Sequence, residues 1–138
     1  MAMLQQPAAV GLPLMQRAAR ARLENSALSV VRDAIGVSLE RLEASDWLDT
    51  VLDQTPAPFD ALAKELAVAP ILERPGREIT TYCRGIVSSL VERDILRERA
   101  ELMGQLRRTD AKTEPERHRE VQQQIVALEA ERRAVRQE

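Results

Sequence analysis

The chain has 138 residues, of which 44% are hydrophobic and 30% are charged, and its formal net charge is −2 at pH 7. This length suits one domain, or a small body with an appendage, and the apolar share is ample for a buried core. Residues 1–76 carry 7 basic and 10 acidic side chains and residues 77–138 carry 13 and 12, so neither part has the excess positive charge of a strong nucleic-acid binder.

The first part of the chain, up to residue 72, is predicted to form short helices separated by proline, glycine or capping residues. The first helix covers residues 12–23. Its apolar side chains fall on one face: Leu12, Met15, Ala19 and Leu23. A second helix is capped by Asn25 or Ser26 and stops at Gly36. Its apolar side chains are Leu28, Val31 and Ile35.

Two further helices complete this body. Ser45 is predicted to cap the segment Asp46-Trp47-Leu48-Asp49-Thr50-Val51-Leu52, which ends at Thr55-Pro56. Trp47 should be a core anchor, because the apolar residues beside it must also find burial on a short helix: Leu48, Val51 and Leu52. The last helix runs from about Ala57 to Ala67. It should turn four side chains inward: Phe59, Leu62, Ala63 and Leu66.

The rest of the chain is predicted to form two long helices joined by one short turn. The first should begin near Arg77, after the breaker Pro75-Gly76, and run to about Arg108 without another proline. Its apolar stripe changes along its length. The first set indicates contact with a core: Ile79, Cys83, Ile86 and Leu90. The second set indicates a coiled-coil seam: Val91, Ile95, Leu102 and Leu106.

The turn of this arm is predicted at Thr109-Asp110-Ala111-Lys112. Thr113 and Glu116 then have the spacing of a capping box, and Pro115 is tolerated in the first turn of a helix. The second helix has one narrow seam with steps of four and three residues: Val121, Ile125, Leu128, Arg132 and Val135. Such a helix needs a neighbour, and the nearest is the first arm helix.

These elements predict an all-α protein, with a small helical bundle followed by a long helix and a C-terminal antiparallel helical hairpin. Residues 1–76 form the bundle, and the first part of the long helix, to about residue 90, packs on it. Residues 77–138 form the hairpin arm. The core should be aliphatic, because the chain has only three aromatic residues: Trp47, Phe59 and Tyr82.

Residue types that perform chemistry are nearly absent. His118 is the only histidine, and a zinc site needs further nitrogen or sulfur ligands. Cys83 is the only cysteine and is interpreted as a small buried residue. Asp46, Asp49 and Asp53 would line one helical face, which indicates a solvated acidic surface more than a cation site. We therefore expect no catalytic residue, no metal and no cofactor.

The sequence also bears on location. Pro7, Gly11 and Pro13 interrupt the early apolar residues, so no signal peptide is recognisable, and no stretch approaches membrane-spanning length. A single cysteine excludes an internal disulfide, which suits a reducing compartment. We expect a cytoplasmic protein.

Four segments occur in a distinctive order. They are Leu4-Gln5-Gln6-Pro7, then Asp46-Trp47-Leu48-Asp49-Thr50-Val51 with Gln54-Thr55, then Leu66-Ala67-Val68, then Tyr82 followed by Gly85 and the helix from Leu90 to Arg108. Together they resemble the C-terminal domain of bacterial replicative (DnaG-type) primases. The resemblance covers nearly the whole chain, from Leu4 to about Arg136, and lies in order and spacing more than in one rigid motif.

The resemblance implies a helical bundle followed by a hairpin that docks on the N-terminal domains of the hexameric replicative helicase. It implies a helicase-binding and regulatory role, in which primer synthesis is recruited to the replication fork within the replisome. The zinc module and acidic polymerase core of a full primase are not in these 138 residues. We therefore expect a non-catalytic fragment, starting at Met1, of a longer RNA-synthesising enzyme.

We assign helicase recognition to the outer face and tip of the hairpin. The candidate residues are Arg107, Arg119, Val126, Glu129, Arg133 and Arg136. The resemblance also implies capture of the acidic tail of single-stranded-DNA-binding protein on the bundle, where three arginines close in sequence would supply the basic pocket: Arg17, Arg20 and Arg22.

Two other interpretations remain open. Charged helix faces are usually only solvated, so each candidate recognition residue of the arm could simply be a solvent-exposed side chain with no partner contact. In the second interpretation, the chain is a free-standing helical scaffold or adaptor that self-associates through its C-terminal coiled-coil arm. A stable dimer in isolation favours the scaffold, and a monomer that binds helicase favours the recruitment module.

Overall fold

The computed structural model describes residues 1–71 and 78–137, with the side chain of Gln137 excepted. These residues contain eight α-helices and no strand, so the predicted all-α fold is confirmed. The helices are α1 Ala2–Gln5, α2 Pro7–Val10, α3 Leu12–Ala19, α4 Ser26–Gly36, α5 Trp47–Gln54, α6 Asp60–Val68, α7 Ile79–Arg108 and α8 Pro115–Gln137. Short 3-10 turns lie at Leu39–Arg41 and Ala57–Phe59.

The chain divides into two compact units, Met1–Leu90 and Val91–Glu138. The long helix α7 contributes its first part to one unit and its second part to the other. The predicted boundary between residues 76 and 77, the breaker Pro75-Gly76 and the helix start near Arg77 all lie outside the described residues.

The first unit is built around an aliphatic core with one tryptophan in it. Trp47 is only 4% exposed, as expected of a core anchor, and its indole Nε1 donates a hydrogen bond to the carbonyl oxygen of Leu4. The surrounding buried side chains come from α2, α3, α4, α5 and α7: Val10, Leu14, Met15, Val31, Ile35, Val51, Cys83 and Val87. Burial of this apolar surface is the main force that holds the unit together.

The C-terminal end of α6 is closed by a side chain from α1. The amide nitrogen Nε2 of Gln5 donates to the carbonyl oxygens of Leu66 and Ala69, at 2.9 and 2.6 Å. The last carbonyl groups of a helix have no partner within the helix, so this amide takes the place of a cap.

The predicted start of α4 is confirmed and that of α5 is wrong. Asn25 caps α4, where its side-chain oxygen accepts from the backbone N–H groups of Ala27 and Leu28 at 2.9 and 3.1 Å. Ser45 does not cap α5, because the capping position is Asp46, whose carboxylate pairs instead with Arg41 at 2.7 Å.

Four apolar residues predicted to face the core are exposed: Leu12, Leu28, Leu48 and Ile86. In α3 the buried face is formed by Leu14, Met15 and Ala18, and the helix ends at Ala19, so Leu23 lies beyond it. In α7 the buried line runs through Cys83 and Val87, at a spacing of four residues. The buried faces of α3 and α7 are therefore partly rotated from the predicted ones, whereas Val31 and Ile35 of α4 are buried as predicted.

The second unit is an antiparallel pair made by the rest of α7 and α8. The predicted seam is confirmed at four of its positions, where the side chains are buried: Val91, Ile95, Val121 and Leu128. The other seam positions are half-buried: Leu102, Leu106, Ile125, Arg132 and Val135. Burial of this one stripe fixes which faces of the two helices meet.

The turn between the two helices is held by local hydrogen bonds. The Thr109 hydroxyl donates to the carbonyl oxygen of Gln105 at 2.7 Å, and Asp110 Oδ1 accepts from the backbone N–H of Lys112 at 2.8 Å. The helix α8 starts at Pro115, which places Glu114 at the capping position and not Thr113. The predicted capping box of Thr113 and Glu116 is therefore wrong: Pro115 takes the first helical position, where proline is best placed, and Thr113 lies before the cap.

Candidate docking face of the hairpin

Ion pairs connect α7 and α8 along one side of the hairpin. Arg99 Nε lies 2.5 Å from Glu129 Oε1. Two turns towards the end of the hairpin opposite its turn, Arg136 Nη2 lies 2.8 Å from Glu92 Oε1, and Arg132 Nε donates to the same oxygen at 3.3 Å. All these residues are exposed or half-buried, so this side of the hairpin faces solvent.

The two pairs define the register of the helices. The step of seven residues from Glu92 to Arg99 on α7 matches the step of seven from Arg136 back to Glu129 on α8. Residues three and four apart share a helix face. One turn further towards the tip therefore brings Met103 opposite Val126.

The same register places a second apolar residue on this side. One turn from Arg99 towards the open end, Leu96 comes opposite Arg133. We call this side of the hairpin the docking face. It consists of Glu92, Leu96, Arg99, Met103 and Arg107 from α7 and of Gln122, Val126, Glu129, Arg133 and Arg136 from α8.

Five of the six residues assigned to recognition from the sequence lie on the docking face: Arg107, Val126, Glu129, Arg133 and Arg136. Glu129 and Arg136 are engaged in the ion pairs, whereas Val126 and Arg133 are exposed. Arg119 is also exposed and lies two turns before Val126 on α8, so it continues the line of Val126 and Arg133 towards the turn.

Two apolar residues that α7 contributes to this face were not predicted from the sequence. Leu96 is 39% exposed and Met103 is 37% exposed, beside Val126 at 66%. Leu96 and Met103 lie next to the seam positions Ile95 and Leu102. Because the seam already explained the apolar residues of this helix, these two were not assigned a separate role. Their spacing of seven residues, outside a seam that was already complete, is the feature of the sequence that could have indicated a second apolar stripe.

The acidic groups of the docking face are neutralised within the hairpin. Hydrogen bonds from Arg136 and then Arg132 hold the pKa of Glu92 below its ordinary value, so this carboxylate is charged and paired near neutral pH. Glu129 is paired with Arg99. Of the arginines on this face, Arg107 and Arg133 have no ion pair within residues 1–71 and 78–137, which leaves the face with an excess of positive charge.

On the opposite side of the hairpin, charged side chains of α7 pair with one another. Asp94 is buried, and its carboxylate receives Arg97 Nη2 at 2.8 Å, while Arg97 Nη1 lies 3.0 Å from Glu101. The hydrogen bond with Asp94 is the main cause of a raised pKa of Arg97. These contacts lie along one helix, so they support α7 without presenting a free group to a partner.

The three arginines proposed for an acidic tail have different environments. Arg17 is buried within α3, whereas Arg20 and Arg22 follow the end of that helix and are exposed. The tail site on the bundle stays a prediction.

The described part of the chain shows no arrangement typical of a metal site or a membrane span. His118 is half-buried and Cys83 is buried, and no cluster of three or more histidine, cysteine or acidic residues there has an arrangement that suits a metal ion. Within the same residues, no helix combines the length and the apolar character needed to cross a lipid bilayer. A surface pocket of about 210 Å³ in the first unit is apolar and is lined in part by Leu23, Leu28 and Leu66.

Comparison with known proteins gives one clear relationship. No protein-family model matches the chain, and no curated protein matches its sequence. Among solved structures, the chain is similar to the helicase-binding domain of primase from Mycobacterium tuberculosis, with a TM-score of 0.70 and 27% sequence identity. The match covers 98% of this chain and 85% of that one. The resemblance to the C-terminal domain of bacterial primases is therefore confirmed.

Proposed function

We propose that this chain is the helicase-binding domain of a bacterial primase, and that it recruits primer synthesis to the replicative helicase at the replication fork. The observation that carries the proposal is the likeness to the helicase-binding domain of the Mycobacterium tuberculosis primase over nearly the whole chain. The likeness includes both units, because 98% of the chain is covered.

In this proposal the hairpin makes the contact and the first unit supports it. The docking face is long, carries exposed apolar side chains and has arginines that are not used inside the hairpin. A protein partner needs such a combination, because apolar anchors supply affinity and charges supply orientation and association rate. The recognition residues proposed are Arg107, Arg119, Val126, Glu129, Arg133 and Arg136.

The role is one of binding and not of catalysis. The solved structure to which this chain is similar is named for helicase binding, which supports a binding role. RNA synthesis would belong to other domains of the primase to which this domain is proposed to belong.

Deletion of Thr113 to Glu138 tests the assignment of binding to the hairpin. The deletion removes α8 and leaves the buried side chains of the first unit intact, so we expect that unit to remain helical and folded. Binding to the N-terminal domain of the cognate replicative helicase, measured by calorimetry at physiological salt, should be lost. Full affinity in the truncated chain would place recognition on the first unit.

The size of the intact chain in solution separates the proposal from the scaffold alternative. Sedimentation should show a monomer that forms a complex when the helicase domain is added. A stable dimer with no affinity for the helicase domain would instead support self-association through the arm.

A further inference from the structure

The docking face contains three exposed apolar side chains that the hairpin itself does not need. Leu96, Met103 and Val126 lie outside the seam that joins α7 and α8, and each is more than a third exposed. The two helices are otherwise strongly charged on their outer surfaces. Apolar residues gathered on one face of such a hairpin indicate a surface that another molecule covers.

The ion pair between Arg99 and Glu129 lies in the middle of these three residues. Met103 and Val126 are one turn from it towards the tip, and Leu96 is one turn from it towards the open end. Because the two charges form an ion pair with each other, a partner that covers them buries a pair, which costs less than burying an uncompensated charge. The centre of the face is therefore suited to burial.

The charge at the edges of the face restricts what the partner is. Its two carboxylates, Glu92 and Glu129, are both bound by arginines of the hairpin. Arg107 near the tip and Arg133 beside Leu96 have no ion pair among the residues described here, so a positive charge borders the apolar residues at both ends. Electrostatic complementarity calls for carboxylates on the partner at matching positions.

The shape of the face favours one kind of partner structure. The distance between Leu96 and Met103 along α7 is seven residues, about 10.5 Å of helix, and two antiparallel helices leave a shallow groove between them. A third helix that lies along this groove would place apolar residues at the same spacing of two turns. A second copy of this hairpin fits poorly, because it would place arginines opposite arginines.

We propose that Leu96, Met103 and Val126 form the apolar anchor of the docking face, and that the element it captures on the helicase is an amphipathic helix with carboxylates beside its apolar stripe. This inference rests on the proposed function for the identity of the partner. It adds two residues of α7 to the recognition surface and defines the chemistry of the element recognised.

Single substitutions that place a carboxylate on the anchor test this inference. Met103→Glu and Leu96→Glu each remove an apolar contact and present a negative charge to an acidic partner. Matched controls are Val37→Glu and Val68→Glu, which make the same kind of change at exposed positions of the first unit, 69% and 81% exposed. Circular dichroism of all four variants checks that the helical content is unchanged.

The probe is the N-terminal domain of the cognate replicative helicase, with binding measured by calorimetry. Met103→Glu and Leu96→Glu should each weaken binding by about tenfold or more, as loss of a central anchor does, and the controls should bind as the original chain does. Met103→Leu, which keeps an apolar side chain of similar size, should retain the affinity. Binding of the original chain should also weaken as salt rises, because the carboxylates face Arg107 and Arg133.

The outcomes separate this inference from the proposed function. If the original chain binds the helicase domain and folded Met103→Glu and Leu96→Glu variants bind equally well, the anchor assignment is wrong and helicase binding stands. If the original chain does not bind the helicase domain, the proposed function itself fails. If the chain forms a dimer or binds single-stranded DNA, and Met103→Glu abolishes that instead, the face has a different occupant and the inference is overturned.

Discussion

The indole Nε1 of Trp47 donates a hydrogen bond to the carbonyl oxygen of Leu4 over 3.1 Å, and both residues are buried. This bond joins the first helix of the chain to α5, which lies more than forty residues later. A buried carbonyl group needs a partner, so the tryptophan has both an apolar and a polar role in the core of the first unit.

Replacement of Trp47 separates these two roles. Trp47→Ala should lower the free energy of unfolding by about 3–5 kcal/mol, because it leaves a large cavity. Trp47→Phe should cost less, about 1–3 kcal/mol, because it fills much of the space but leaves the Leu4 carbonyl group without its donor. Urea denaturation followed by circular dichroism measures both. A folded Trp47→Ala variant of unchanged stability that had lost helicase binding would show that Trp47 is a partner contact.

The cap of α4 gives a second prediction. Asn25→Ala removes the side-chain oxygen that accepts from Ala27 and Leu28, so it should cost about 1 kcal/mol of stability. Ser26→Ala is the matched control, since this exposed residue is the first of the helix and lies beyond the cap. Thermal denaturation of both variants should show a lower melting temperature for Asn25→Ala alone. Equal melting temperatures would exclude a stabilising cap.

A third prediction concerns pH and the hairpin. Because Arg136 and Arg132 hold the folded-state pKa of Glu92 below its unfolded value of about 4.3, the pairing adds stability above that pH and the gain is lost as pH falls through the lowered pKa. Glu92→Gln lacks this titration. Its melting temperature should lie below that of the original chain near pH 7, and the difference should shrink as pH is lowered from about 6 to about 3. A difference that stayed constant over this range would rule out the carboxylate as its cause.

Two arginines of the docking face, Arg133 and Arg136, should differ in their effects on helicase binding and on hairpin stability. Arg133→Glu changes a surface charge alone and should weaken helicase binding by roughly two- to tenfold, mainly through the association rate. Arg136→Glu has a further effect, because it removes a partner of Glu92 and places two carboxylates together. It should therefore also lower the melting temperature of the hairpin. The double variant should combine both effects, and calorimetry with melting curves distinguishes them. Equal melting temperatures for the two single variants would contradict the role assigned to Arg136.

Much of the hairpin follows from its sequence. Val91 and Ile95 lie on one face of α7, and Val121 and Leu128 lie on one face of α8. Each helix has only a narrow apolar stripe to bury, and these four predicted seam residues are buried in the structure. The register was not predictable in the same way. Many arginines and glutamates have suitable spacing, and only the structure shows that Arg99 meets Glu129.

The first unit was harder to predict in detail. Its short helices have apolar residues on more than one side, so the sequence does not state which side a neighbour covers. Leu28 and Leu48 were expected in the core and are exposed, whereas the polar Ser38 is buried and donates to the carbonyl oxygen of Ala34 at 2.7 Å. Tertiary packing decides whether such residues are buried, and the local periodicity of the sequence gives no information about that packing.

The distribution of aromatic residues makes the two units optically distinct. Trp47, Phe59 and Tyr82 all lie in the unit of Met1–Leu90, and the hairpin beyond it has none. Tryptophan fluorescence therefore reports on the first unit alone, whereas far-ultraviolet circular dichroism reports on the helices of both. The interval between the two melting curves is a direct measure of whether the hairpin unfolds independently, and it requires no label on the chain.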